Sequence, residues 1–187
     1  MLCLARTGVR IGESFALEWG DVDFGAGRLR VARSISAGSV TSPKSGRARW
    51  VDMTDQLAAV LREHRSVQEA EAAFGGTDPP TLVFPSAHGR YWNRGTYWQR
   101  VWAPLLRAAD VRHRGPHQLR HTYASLLLSE GVPVTYVSEQ LGHSNPRITL
   151  EIYARWIPRG GRAEVNRLDE VAPVGVTGRN PRATVNI

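Results

Sequence analysis

Four short strings in this 187-residue chain, with one tyrosine beyond them, hold polar residues that could act together on an anion. In Gly115-Pro-His-Gln-Leu-Arg-His121, His117 and Arg120 stand three apart, so on a helix they share one face. They also fall in its first turn, where unpaired backbone N–H groups and the helix dipole attract negative charge. A phosphate fits that place better than any other common ligand, although alone the string also reads as a surface His and Arg near a helix start. Leu141-Gly-His-Ser-Asn-Pro-Arg147 puts His143 in a tight corner between a helix ended by Gly142 and one begun by Pro146. Corners held between rigid elements often carry function. Tyr153 follows on that next helix, offset from its expected core face of Ile148 and Ile152; by itself it reads as a packing tyrosine. Thr7-Gly-Val-Arg-Ile-Gly-Glu13 holds Arg10 in a glycine-bracketed turn, with pairing to Glu13 as the plainer reading. Ser42-Pro-Lys-Ser-Gly46 holds Lys44 in an expected hairpin loop, where a solvated turn lysine is the plainer reading.

His113, His117 and His121 are spaced by four and invite a metal reading. Gly115-Pro116 separates His113 from the helix, no cysteine is near, and no glutamate stands in an HExxH arrangement. No metal site is expected, and His121 reads as a packing or capping residue. The single cysteine, Cys3, excludes a disulfide framework and any cysteine-rich zinc module.

The chain carries 24 basic and 17 acidic residues, a net charge of +7, and 23 of the basic residues are arginine. Arginine favours planar, bidentate contact with phosphate. A polyanionic partner is expected, with nucleic acid ahead of membrane because no basic amphipathic anchor is visible. Hydrophobic residues make up 42%, enough for a globular core. No window approaches the roughly 18 apolar residues of a membrane helix. The apolar start before Arg6 is too short for a signal peptide. These features predict a soluble, cytoplasmic protein.

The elements that must hold these residues can be read from periodicity. Residues 2–6 end a helix that Gly8 breaks, and Glu13–Trp19 reads as a short helix with Phe15, Leu17 and Trp19 partly buried. Val22 and Phe24, then Leu29 and Val31, alternate across the Gly25-Ala-Gly27 turn. With a strand near Arg49–Met53 they predict a small antiparallel sheet, with a flexible loop over Ser36–Gly46. Thr54 caps a helix with Leu57, Val60, Leu61 and Val67 on its stripe. Leu82–Phe84 is extended. Tyr97, Trp98, Val101, Leu105 and Leu106 form another stripe, which Pro104 should kink or divide. Helices follow over Pro116–Ser129, around Val134–Leu141, and from Pro146 to Trp156. Val171–Ile187 is punctuated by Pro and Gly and reads as a mobile tail.

Arg10, His117-x-x-Arg120, Leu-Gly-His143 and Tyr153 occur in that order, with Lys44 in the β region between. Together with the strings TGVRIGE, PKSGRARWVDM, HQLRHTYASLL and LGHSNPRITLEIY, they resemble the tyrosine recombinase (phage integrase) family. The resemblance covers about residues 1–158 and implies a mixed α/β, mostly helical catalytic domain with a small antiparallel sheet. Residues 1–170 would be that domain and residues 171–187 the tail. It implies site-specific cleavage and rejoining of double-stranded DNA through a covalent 3′-phosphotyrosyl intermediate. Tyr153 would be the nucleophile, and Arg10 and Arg120 would clamp the non-bridging oxygens of the scissile phosphate. His117 and His143 would hydrogen-bond that phosphate, His117 also as proton acceptor. Lys44 would protonate the leaving 5′ oxygen.

The residue types suit that chemistry. Only about one tyrosine in a thousand is ionised at pH 7, a deficit of ~4 kcal/mol, which guanidiniums and an imidazole can offset. Arginine donates a proton too reluctantly to serve the leaving group, and the chain keeps its one lysine at this place. The phosphotyrosyl bond retains the energy of the bond it replaces, so no cofactor, metal or ATP is expected. Gln118 stands where the family often has an acid, and Tyr123 where a smaller residue is common; neither is a catalytic position. Family members usually carry an N-terminal helical DNA-binding domain; with Met1 nine residues before Arg10, this sequence is expected to be the catalytic domain alone, as a fragment or a truncated product. They assemble as tetramers on DNA, so Ala163–Glu170 is the expected docking segment and a monomer the expected state in solution. Two alternatives remain open: a DNA-binding remnant without recombination activity, and a strand-nicking enzyme like the type IB topoisomerases.

Overall fold

Local rules place most of the elements. Gly8 closes helix α1 (Leu2–Thr7) in the left-handed conformation, with φ 63°, open to glycine for want of a Cβ. Helix α2 (Ile11–Phe15) follows at once, with Arg10 as its extended N-cap and Glu13 bonding back to the Arg10 backbone N–H at 2.8 Å. The helix expected over Glu13–Trp19 thus lies earlier in the chain. Beyond it the backbone is claimed by a neighbour: Val83 N–H donates to Leu17 at 2.9 Å, and Trp19 N–H donates to Thr81 at 2.9 Å.

The period-two stretch forms the expected sheet. Strands β1 (Val22–Asp23), β2 (Arg28–Val31) and a third over Arg49–Asp52 are antiparallel, with β2 in the middle. Leu29 pairs with Val51, both fully buried, while their neighbours Arg30 and Trp50 pair on the outer face. The loop expected over Ser36–Gly46 is in part a hairpin. Strand β3 (Ser34–Ser36) pairs with β4 (Ser39–Thr41) across a tight turn at Ala37 and Gly38, both at positive φ. Residues 42–48 then cross without regular structure to the Arg49–Asp52 strand, β5.

Thr54 caps helix α3 (Asp55–Phe74) by accepting the Leu57 N–H at 3.2 Å. Leu57 and Leu61 are buried as expected, but Val60 and Val67 are exposed; Gln68 and Ala72 continue the inner stripe instead. Residues 94–108 run as helix α4 (Arg94–Tyr97), one π-helical turn (Trp98–Trp102) and helix α5 (Ala103–Ala108). Pro104 lies in the first turn of α5. A proline there has no N–H to give and crowds the preceding turn, and the division it was expected to cause is this widened turn. Helices α6 (His117–Ser129), α7 (Val134–Leu141) and α8 (Pro146–Tyr153) follow, and a 3₁₀ turn (Ala154–Trp156) completes the run. Asn145 caps α8 by accepting the Arg147 N–H at 2.8 Å.

Two apolar clusters result. One joins the inner face of the sheet to α1, α3 and α5 through residues such as Leu4, Leu61, Val83 and Trp102. The other lies among α6, α7 and α8: Ala124, Leu128, Val137, Leu141 and Tyr153. The buried stripe of α8 is not the expected one. Thr149 and Tyr153 point inward, Ile148 is half-buried, and Ile152 is 46% exposed. These stripes are neighbours on the helix, so docking against α6 and α7 decides which is covered.

The computed structural model describes residues 1–171. Residues 1–157 form one unit, mixed α/β and mostly helical; a second begins at Pro158 and contains helix α9 (Arg162–Val171), which includes the helical segment expected over Ala163–Glu170. Val171, where the mobile tail was expected to start, ends that helix, and the rest of that stretch lies outside the described residues. No helix among the described residues is long and apolar enough to cross a membrane.

Candidate active site

The site is built around a buried carboxylate. Glu13 on α2 is 2% exposed. It accepts from the Arg10 guanidinium at 3.1 Å and from both terminal nitrogens of Arg49, on β5, at 3.0 and 2.8 Å. Burial works to raise the Glu13 pKa, but Arg49 and then Arg10 outweigh it and hold the carboxyl below its usual range. Arg49 also donates to the Gln140 carbonyl at 3.0 Å. Its side chain lies against Gly142, where a Cβ would come within 2.8 Å of Arg49 Cδ and Nε. Gly142, with φ 65°, thus both ends α7 and admits the arginine. The carboxylate ties the start of α2 to β5, and Arg49 ties β5 to the corner that carries His143.

Arg120 makes a second tie. It is 3% exposed, and its two terminal nitrogens donate to the Gly8 and Leu141 carbonyls, each at 2.7 Å. The ends of α1 and α7 are held to α6 in this way. Burial, then the Arg10 charge, brings its pKa down to about 10.

Arg10, Lys44 and His117 line one cavity of about 570 Å³, roofed by the β3–β4 hairpin and the start of α4. Arg94, not foreseen from the sequence, lines it too, and no acidic side chain does. Lys44 sits exposed in the 42–48 crossing. Arg120, His143 and Tyr153 do not line this cavity, yet the Arg120 and Arg10 charges act on His143 and the Arg120 charge on Tyr153. His143 Nδ1 bonds the Thr149 hydroxyl at 2.8 Å, which fixes the ring against the start of α8.

Tyr153 is 2% exposed, and burial raises its pKa, partly opposed by Arg120. Its hydroxyl meets His121 Nδ1 at 2.7 Å. His121 packs against Tyr153, as expected of a packing residue, and also bonds its hydroxyl, a long-range contact with no local signal. The three helix-spaced histidines diverge. His117 and His121 meet edge to face at 4.8 Å, whereas His113 lies edge-on to Trp98 at 4.9 Å. Among the described residues no group of three His, Cys, Asp or Glu is placed to hold a metal. Glu13 was legible as the residue three after Arg10; Arg49 had no local signal.

The histidines give the protein an acid sensitivity. Burial lowers the pKa of His117, His121 and His143, and in each case Arg120 adds to the effect; His143 falls to about 4. Each binds a proton more readily unfolded than folded, so stability falls as pH drops from about 6.5. Glu13, held low, does not titrate in that window. The melting temperature should be lower at pH 5 than at pH 7.5, and His143→Asn should shrink the difference. Equal melting temperatures at the two pH values for the unaltered chain would contradict this.

Comparisons with known proteins identify the family and the fold. The sequence model of the phage integrase family matches residues 1–157. A tyrosine recombinase XerC-like protein of Caldanaerobacter subterraneus subsp. tengcongensis is 33% identical over 88% of this chain and 47% of its own. The chain spans about half the length of the curated relatives it matches. The Tn1549 transposon integrase, solved in complex with transposon right end DNA, superposes with a TM-score of 0.70 at 21% identity, covering 89% of this chain and 57% of that one. The catalytic domain of bacteriophage HP1 integrase superposes at 0.55 with 23% identity, covering 95% and 82%. At these identities the structural likeness speaks to the fold, while the family match extends across the whole unit that holds Arg10, Lys44, His117, Arg120, His143 and Tyr153. On that match, the chain belongs to the phage integrase family.

Proposed function

We propose that this chain is the catalytic part of a site-specific DNA recombinase, cutting and rejoining duplex DNA through a 3′-phosphotyrosyl bond to Tyr153. The observation that carries the reading is the acid-free cavity in which Arg10, Lys44, Arg94 and His117 converge. Such a cavity favours a phosphate, and phosphoryl transfer is catalysed mainly by positioning and charge stabilisation. The names of the XerC-like relative and of the Tn1549 integrase support the same chemistry.

In this reading Arg10 and Arg120 hold the non-bridging oxygens, and His117 and His143 hydrogen-bond them. Lys44, on the irregular 42–48 crossing, brings a proton to the departing 5′ oxygen. The guanidiniums and imidazoles supply the charge, and the phosphotyrosyl bond stores what rejoining requires, so ATP has no part. Residues 1–170 act as the catalytic domain. The partner is double-stranded DNA in the cytoplasm, bound as a tetramer, with α9 as the docking segment and a monomer in its absence.

The test uses a pool of nicked duplexes of randomised sequence, in which the short fragment beyond the cut diffuses away and traps the adduct. Covalent complexes should survive denaturation, and peptide mapping should place the DNA on Tyr153. An adduct on another residue, or no adduct from any duplex in the pool, would overturn the reading.

A further inference from the structure

Tyr153 is the most buried tyrosine of the described residues, and among them its hydroxyl has one hydrogen-bond partner, His121 Nδ1 at 2.7 Å. The two rings lie 5.6 Å apart. His121 stands one helical turn after His117 on α6, and those rings meet perpendicular at 4.8 Å. His117 lines the cavity; His121 stands between His117 and the phenol. The family resemblance would make His117 the proton acceptor, but the imidazole within reach of the phenolic proton is the other one.

We propose that His121 is the base that takes the proton of Tyr153, leaving His117 free to keep its N–H on the phosphate. The inference rests on the reading of Tyr153 as nucleophile. As the Tyr153 oxygen bonds to phosphorus, its proton passes to His121 Nδ1. As the bond from phosphorus to the 5′ oxygen breaks, that oxygen takes its proton from Lys44. In the reverse step the 5′ hydroxyl returns its proton to Lys44, and His121 gives its proton back to the phenolate.

Two features suit His121 to the task. The contact distance falls within the range a general base needs. Burial and then Arg120 keep the imidazole neutral, and so able to accept. The cation formed on transfer beside Arg120 arises as the attacking phenolate passes its negative charge to the phosphoryl oxygens, so the two charges develop together.

The test follows single-turnover adduct formation by the full chain, on a duplex recovered from the nicked pool, between pH 6 and 9.5. His121→Ala should slow the reaction about 10²–10⁴-fold near neutral pH. Its rate should then climb about tenfold per pH unit, because only the spontaneously ionised phenolate attacks, whereas the unaltered chain levels off. Added imidazole should accelerate His121→Ala and not His117→Ala. His121→Gln, which can still hydrogen-bond the hydroxyl, should fold normally and stay as slow as the alanine variant. A pH profile parallel to that of the unaltered chain, imidazole rescue of His117→Ala instead, or a fast glutamine variant would each overturn the proposal alone. No Tyr153 adduct from the unaltered chain would overturn both the proposal and the function it rests on.

Discussion

Replacing Tyr153 by Phe should abolish the covalent protein–DNA adduct while leaving the fold and DNA binding in place. The ring of Tyr153 fills the cluster of Ala124, Leu128, Val137 and Leu141, and phenylalanine fills it equally. What is lost is one oxygen and its bond to His121. A hydrogen bond of this kind contributes about 1 kcal/mol net, too little to unfold a domain. DNA affinity comes mainly from phosphate neutralisation by the many arginines and is steeply salt-dependent, so it should not change. The chemical effect is total because no other atom of the side chain can attack phosphorus. The measurement is adduct yield on a denaturing gel beside equilibrium binding at one fixed salt concentration. Adduct formation by the Phe variant at the normal yield would remove Tyr153 from its role.

Glu13→Ala should be the most damaging substitution for stability. The carboxylate is buried and pairs with two guanidiniums, and the Arg49 side chain is itself only 10% exposed. Removing one partner of a buried ion pair costs about 3–5 kcal/mol, because the other charge is left without compensation. Arg10 also loses the acceptor for its backbone N–H and its side chain, and with them its aim into the cavity. Cleavage should fall along with stability, by about the 10²–10³-fold that loss of one preorganised charge donor produces. Denaturant unfolding supplies the first number and single-turnover cleavage the second. A double substitution, Glu13→Leu with Arg49→Met, separates the causes: it removes both buried charges and should recover much of the stability but not the cleavage. A stability change of only a few tenths of a kcal/mol for Glu13→Ala would mean that the pair is solvated and the site is held some other way.

Acid unfolding carries the same signature from the opposite side. Because Glu13 is held below its usual pKa, its contribution is present above about 4.5 and is lost as pH falls through the folded value. The histidines lose theirs in the window above it. Acidification should therefore weaken the site in two stages, the imidazoles first and the carboxylate after.

The primary sequence determined what depends on near neighbours along the chain. Gly8 and Gly142 stop helices because their backbone turns left-handed. Asn145 with Pro146 starts one, and the i, i+3 spacing sets His117 beside Arg120 and Arg10 beside Glu13. The alternation around Leu29 and Val51 puts both on the inner face of the sheet. Sterics, capping and period act over a turn or two, so they can be read without a fold. The tertiary structure alone decided the rest. Arg49 reaches Glu13 from 36 positions away, Arg120 reaches Gly8 from 112, and His121 meets Tyr153 across 32. None of these pairs leaves a periodic trace: the first exists only once β5 lies beside α2, and the other two only once α6 has docked against α1, α7 and α8. The same docking covered Thr149 and Tyr153 and left Ile152 at the surface. Two apolar stripes on one short helix are nearly equivalent to the chain that bears them, and they become different only when a neighbouring helix buries one.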